Sequence, residues 1–263
     1  MAGFFKWMLG LGTLLILGAG AGVGLALYGS VQGVSFTTPK LVPFDPNAVN
    51  AVIPDDQQAQ LAHVDVPPAV LLPVPFTPQA PLNDWGAKQH TCEEASLVMV
   101  DRYLHGDHSG ALIDPATADR AINTMTPWKP VTDMTVRQLG ELARVHLGWG
   151  YQILPASRDN IKQQLALGRP VIAGVRTHGL GNPNYPGYRY HYEENGWSVS
   201  HYLVVAGYDQ SDTVILNDPG LTRGHGYHIT FDQLFYAIND LDVHYPNLNE
   251  GQIILVLAPV AAS

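Results

Sequence analysis

The single cysteine of the chain, Cys92, stands in the stretch QHTCEEASLVMVDRYLHG at residues 89–106. A sulfur nucleophile works as its thiolate, and the first turn of a helix favours that form because its N–H groups lack intrahelical partners and the helix dipole is positive there. Thr91 followed by Glu94 ahead of an apolar run is the pattern of a capping box, so the spacing predicts a helix that begins at Cys92 and stops at Gly106. Ala95, Val98, Met99 and Leu104 recur at helical spacing, and Leu97, Val100 and Tyr103 widen the apolar arc. A small buried cysteine that merely fills a gap would have the same address. What separates the two readings is whether the chain also supplies a base and a group to orient it.

Histidine is the usual base, since it titrates near neutrality, but the chain has eleven. Selection has to be geometric. In SHYLVVAGYDQSDTVILNDPG, at residues 200–220, two apolar runs flank Asp209, Gln210, Ser211 and Asp212, a turn composition, so an antiparallel hairpin is expected. If Tyr208 pairs with Thr213 across that loop, Leu203 lies opposite Asp218 and His201 opposite Gly220. His201 and Asp218 are then diagonal neighbours on one face, about 7–8 Å apart at the backbone, which an imidazole and a carboxylate can bridge. A slip of one residue would send Asp218 to the other face. On the hairpin alone, a solvent-facing His201 and a turn-forming Asn217-Asp218-Pro219-Gly220 fit equally well.

These residues need elements to hold them. The chain has 263 residues, a formal net charge of −9 and no Lys/Arg-rich block, which argues against a nucleic-acid surface. One cysteine rules out an internal disulfide framework and any Cys-based zinc cluster. Residues 7–28 carry no charge and, as a helix of about 33 Å, are long enough to cross a bilayer. Lys6 before them favours a cytoplasmic N-terminus, with the remainder outside the cytoplasm. A cleaved signal peptide ending near Ala19, Gly20 or Ala21 is the competing reading, disfavoured by the length of the apolar run. The expected layout is a membrane anchor at 1–30, a Pro-rich extended linker at 31–68 and a folded domain at 69–263.

Within the domain the patterns predict a short edge strand at 70–76 and helices near 116–125, 135–146, 159–167 and 232–238. Further strands are expected at 151–154, 170–175, 201–208, 213–217 and 252–257. Helices early and strands late point to the α+β class, not to alternating βαβ units. Residues 178–200 read as a long loop bearing Tyr185, Tyr188, Tyr190, Tyr192 and Trp197, the kind of loop that is usually functional. His146 falls on the apolar side of its helix, as a hydrogen-bonded structural residue. His178 and Trp197 are candidates for a cleft rim.

VPFTPQAPLNDW, CEEASLVMV, GRPVIAGV, SHYLVVAGYD and VILNDPG, in that order, resemble the bacteriocin-processing-like cysteine peptidases (C39-like), a branch of the papain-like superfamily. The similarity runs from about Val74 to Leu257. It implies a papain-like α+β fold with Cys92 as nucleophile, His201 as base and Asp218 as orienting acid. It also implies a glutamine donor to the oxyanion hole, matched best by Gln79, with Gln89 as the alternative. Peptide or protein would be the substrate, and no cofactor is implied. Two departures stand out: Glu93 and Glu94 replace the Gly-Pro that many relatives carry, and no transporter is fused. With Glu94 expected in the capping box, Glu93 is the carboxylate that would oppose ionisation of the thiol.

Other functions remain in view. The same triad can transfer an acyl group to an amine, as transglutaminases do. A catalytically silent module could bind a peptide or cell-wall polymer through the aromatic loop. His191 with Glu193 and Glu194, or His225 with His228, offer metal-ligand types without a metal-site pattern, and no metal is expected.

Overall fold

The structure, a computed structural model, describes residues 34–45, 47, 49, 51–52, 64–177, 180, 199–249 and 251–262. From Thr37 onward they form one unit. Its elements are β1 (Ala51–Val52), β2 (Val70–Leu71), α1 (Cys92–Leu104), α2 (Pro115–Met125), α3 (Val136–Leu142), β3 (Gly150–Pro155) and α4 (Arg158–Ala166). There follow β4 (Val171–Arg176), β5 (Ser200–Tyr208), β6 (Thr213–Asn217), β7 (His225–Thr230), α5 (Phe231–His244), α6 (Pro246–Asn249) and β8 (Ile253–Ala258). The sheet runs β1-β3-β8-β4-β5-β6-β7, with β2 added to the end of β5. Among the described strands every strand-to-strand pairing is antiparallel except that of β1 with β3, with isolated parallel bridges at Thr37–Val70, Phe44–Val260 and Phe76–Leu112. This is a mixed fold of helices and an antiparallel sheet.

Along β5 and β8 nearly every residue is buried, with none of the alternation of a half-exposed strand, so both faces of the sheet are covered. α1 packs on β5 and α5 on β4. α1 is buried almost all round through its first turns, with Ala95, Leu97, Met99 and Val100 at 0% exposure. It ends where Gly106 takes φ of +93°, a left-handed stop that glycine adopts without strain.

The start of α1 is where the sequence places it, at Cys92, but not for the expected reason. Thr91 makes no side-chain cap. Its hydroxyl donates instead to the carbonyls of Gln79 (3.0 Å) and Lys88 (3.1 Å), and Glu94, free of any capping duty, is fully buried. True capping boxes occur at α3, from Thr135 with Gln138, and at α5, from Thr230 with Gln233.

The β5-β6 hairpin differs from the expected register at its tip and agrees at its far end. Tyr208 pairs with Val214, not Thr213, because Asp209 bonds back to Thr213 and lengthens the loop by one residue. A bulge between Val205 and Gly207 absorbs the shift, so Val204 meets Asn217, the pair that the simple count gives at the far end, one residue before Asp218. Without that bulge Asp218 would point to the wrong face. Gly207, beside the bulge, lets β2 come close: a Cβ there would lie 2.4 Å from the Val70 carbonyl.

Several elements depart from expectation. The 70–76 run yields only the two-residue β2 plus a bridge from Phe76 to Leu112, because Pro73 and Pro75 interrupt the ladder. α3 widens into a π turn over Ala143–Leu147, which shifts the helical phase, so His146 is exposed against Trp128 (ring centres 4.6 Å) and not buried. β7 was not foreseen. Residues within the expected linker lie along the domain: Val42 and Phe44 bond to Leu167 and Pro259, and the Arg169 guanidinium holds the carbonyls of Val42 (2.7 Å) and Pro43 (2.8 Å). The expected membrane span at 7–28 and nearly all of the aromatic loop, including His178, His191, Glu193, Glu194 and Trp197, lie outside the described residues. Among the described residues no helix is long and apolar enough to cross a membrane.

Candidate active site

The hairpin delivers its two polar residues as a tight pair. His201 Nε2 lies 2.6 Å from Asp218 Oδ1, at side-chain exposures of 4% and 0%. Asp218 is held on both oxygens: Oδ1 also accepts from the Gly220 N–H (2.8 Å), and Oδ2 accepts from the Tyr227 hydroxyl (2.9 Å). A buried carboxylate needs such donors to avoid a large desolvation penalty. Nε2 is thus the ring nitrogen that meets Asp218.

The turn after β6 fixes this carboxylate. Asp218 N–H bonds the Gly224 carbonyl at 2.8 Å, and a Cβ on Gly224 would sit 1.9 Å from the Asp218 carbonyl oxygen. Backbone cannot yield as a flexible side chain does. Gly224→Ala is therefore expected to cost about 2–3 kcal/mol and to lower Tm by roughly 5–10 °C, with a loss of activity from the displaced Asp218, checked by calorimetry and peptide cleavage together. An unchanged Tm would show that the turn tolerates the methyl.

Cys92 arrives from the other side. α1 packs on β5, and a backbone hydrogen bond from Tyr202, the residue after His201, reaches the sulfur. Gln79 ties the two halves together. Its N–H donates to the Pro219 carbonyl (2.8 Å), its carbonyl accepts from Thr91, and its Nε2 donates to the carbonyls of Lys88 (2.6 Å) and Gln89 (3.3 Å). Gln79 is 1% exposed between the head of α1 and the Asp218 turn, whereas Gln89 is exposed.

The sulfur is not poised as the helix start alone suggests. Burial pushes the Cys92 thiol well above its ordinary range, and the Glu93 carboxylate pushes it further. Sγ donates to Glu93 Oε2 at 3.1 Å. The same oxygen accepts from Lys129 Nζ at 3.1 Å, and Oε1 accepts from the Met134 N–H at 3.1 Å. Lys129 also reaches Glu94 Oε2 (3.4 Å) and the His90 carbonyl. Its ammonium lowers the thiol, but not enough to offset burial.

Tyr227 and Lys129 were missed. Tyr227 has a signal, since apolar Tyr227 and Ile229 alternate with polar His228 and Thr230, a short period-2 pattern that marks a strand. Lys129 has none: it is a lone cation in a loop, 36 residues from its partner. His225 and His228 lie on β7, and His225 stacks on Phe76 (5.6 Å).

Residues 71–245 match the family described as Peptidase C39-like. The chain belongs to the C39-like family of cysteine-type peptidases. Peptides or proteins are the substrates that this membership implies. No curated protein matches the chain. Among solved structures, a C39-like peptidase from Bacillus anthracis is 18% identical, with 74% of this chain and 99% of that one covered and a TM-score of 0.48. Xylellain, a cysteine protease from Xylella fastidiosa, is 14% identical over 87% of this chain and 98% of its own, with a TM-score of 0.33. A fragment of prointerpain A from Prevotella intermedia is 12% identical over 91% and 81%, with a TM-score of 0.43. The C39-like assignment rests on the sequence match, not on these overall similarities.

Proposed function

We propose that the chain hydrolyses peptide bonds through Cys92, His201 and Asp218, from a papain-like domain at 69–263 held outside the cytoplasm by an N-terminal membrane anchor at 1–30 and a linker at 31–68. The observation that carries the catalytic reading is the buried His201 and Asp218 pair at 2.6 Å, on the strand that meets the head of the Cys92 helix. His201 Nδ1 takes the thiol proton, the thiolate attacks the scissile carbonyl, and the imidazolium returns the proton to the leaving amine. Water then hydrolyses the acyl-enzyme with His201 as base. Asp218 fixes the tautomer and stabilises the imidazolium. Backbone N–H at Cys92, with Gln79 once its amide turns from the Lys88 carbonyl, would hold the oxyanion. The apolar run at 7–28 supports the anchor.

The second reading is a silent papain-like binding module, favoured by one observation: the Cys92 thiol is buried, bonded to Glu93 and held protonated. Digestion of a peptide library by the full chain in detergent separates the two. The peptidase reading expects cleavage that stops when iodoacetamide modifies Cys92. Binding without cleavage at any pH from 5 to 9 would leave the silent module.

A further inference from the structure

A carboxylate bonds the sulfur and shares an ammonium with a second carboxylate, and the proposed triad uses none of the three. Glu93, Glu94 and Lys129 have side-chain exposures of 2%, 0% and 7%. Ion pairs this deep are uncommon away from functional positions. The loop that follows α2 carries Lys129 to the head of α1, and Met134, at the end of that loop, clamps Glu93 Oε1 through its N–H and accepts from the Tyr202 hydroxyl through its carbonyl (2.8 Å). Glu93 is thus fixed from two sides with its second oxygen shared between Sγ and Lys129 Nζ.

We infer that Glu93 and Lys129 are positioning residues for Cys92 that act in opposite senses: Glu93 restrains the sulfur as a thiol, and Lys129 supplies the positive charge that lets it ionise. The inference rests on Cys92 being the nucleophile. Three effects of Glu93 point the same way. Its carboxylate accepts the S–H, its charge repels a thiolate, and it occupies the ammonium that would otherwise pair with sulfur. Burial raises the Glu94 carboxyl above its ordinary range while Lys129 draws it back down, and its Oε1 makes no hydrogen bond. Lys129 is kept as an ammonium because, although burial disfavours the charge, Glu93 and Glu94 more than compensate. From the sheet side the Tyr202 backbone reaches the sulfur, on the strand that also carries His201 with its partner Asp218. A local motion that opens the Glu93 contact would free the ammonium for the thiolate.

The test is the rate of iodoacetamide alkylation of the full chain from pH 5 to 10, read by mass on Cys92, with Tm measured on every variant. Glu93→Gln is expected to alkylate about tenfold faster than wild type at pH 7, with its midpoint shifted to lower pH. Lys129→Met should alkylate about tenfold slower, Lys129→Arg should stay within about threefold of wild type, and the double variant Glu93→Gln with Lys129→Met should fall between the singles. A purely structural ion pair would move both singles in the same direction. Glu93→Gln that alkylates at the wild-type rate or slower overturns the inference, whatever the fate of the Lys129 variants. Labelling reports the sulfur directly, so this outcome is separate from failure of the peptidase reading, which would appear as no cleavage at any pH from 5 to 9 or as cleavage that survives the loss of Cys92.

Discussion

Cys92→Ala removes peptide cleavage: kcat/KM is expected to fall by about four orders of magnitude or more, equivalent to roughly 5.4 kcal/mol of transition-state stabilisation. Losing the sulfur removes the covalent route itself, and neither His201 nor an oxyanion donor can replace an attacking atom. Stability should respond little. The deleted group is one sulfur at the edge of the core, at 6% residue exposure, and its loss also relieves a buried S–H to carboxylate contact. A change in Tm of only a few degrees is expected. The split between the two readouts is what identifies chemistry. A buried structural cysteine would give the reverse, a lower Tm with kcat/KM nearly intact, and residual activity above about a tenth of wild type would exclude Cys92 as the nucleophile.

Asp218→Asn is expected to lower kcat about a hundredfold with little change in KM, and Asp218→Ala to do more. The asparagine keeps the shape. Its carbonyl can stay toward His201 Nε2 and the Gly220 N–H while its amide turns to the Tyr227 oxygen, since a phenol accepts as well as donates. What is lost is the negative charge that stabilises imidazolium during proton transfer. Alanine leaves three donors facing an apolar stub in a site of 0% exposure, so it should also cost about 3 kcal/mol of stability. Kinetics and thermal unfolding on both variants check the ranking. Equal activity of wild type and Asp218→Ala would remove Asp218 from the mechanism.

The hairpin shows how much local pattern can carry. The two apolar runs placed β5 and β6, and the count across them matches the Val204–Asn217 pair at the far end of the hairpin. That agreement came through two compensating departures, a loop one residue longer and a bulge at Ala206. Neither has a strong local signal, and the glycine beside the bulge, Gly207, answers to a distant partner, the close approach of β2 from more than a hundred residues earlier in the chain. The head of α1 shows the converse. Thr91 and Glu94 have the spacing of a capping box, yet Thr91 bonds back to Gln79 and Lys88, and Glu94 is drawn inward by Lys129. Tertiary partners outcompeted the local ones.

Order and residue type along the chain thus determined the C39-like family, the α+β class, the start of the helix at Cys92 and the strand bearing His201, because these depend on periodicity and motif alone. Glu93 beside Cys92 is likewise legible in the sequence, since adjacency is a property of the chain order. Only the tertiary structure decided that Glu93 faces the sulfur, that Lys129 arrives from a distant loop to meet both carboxylates, and that Tyr227 completes the shell of Asp218. The physical reason is range: hydrogen bonding along a helix or hairpin acts over a few residues, whereas the charge state of a buried thiol is set by whatever groups folding brings within about 4–6 Å, whatever their separation along the chain.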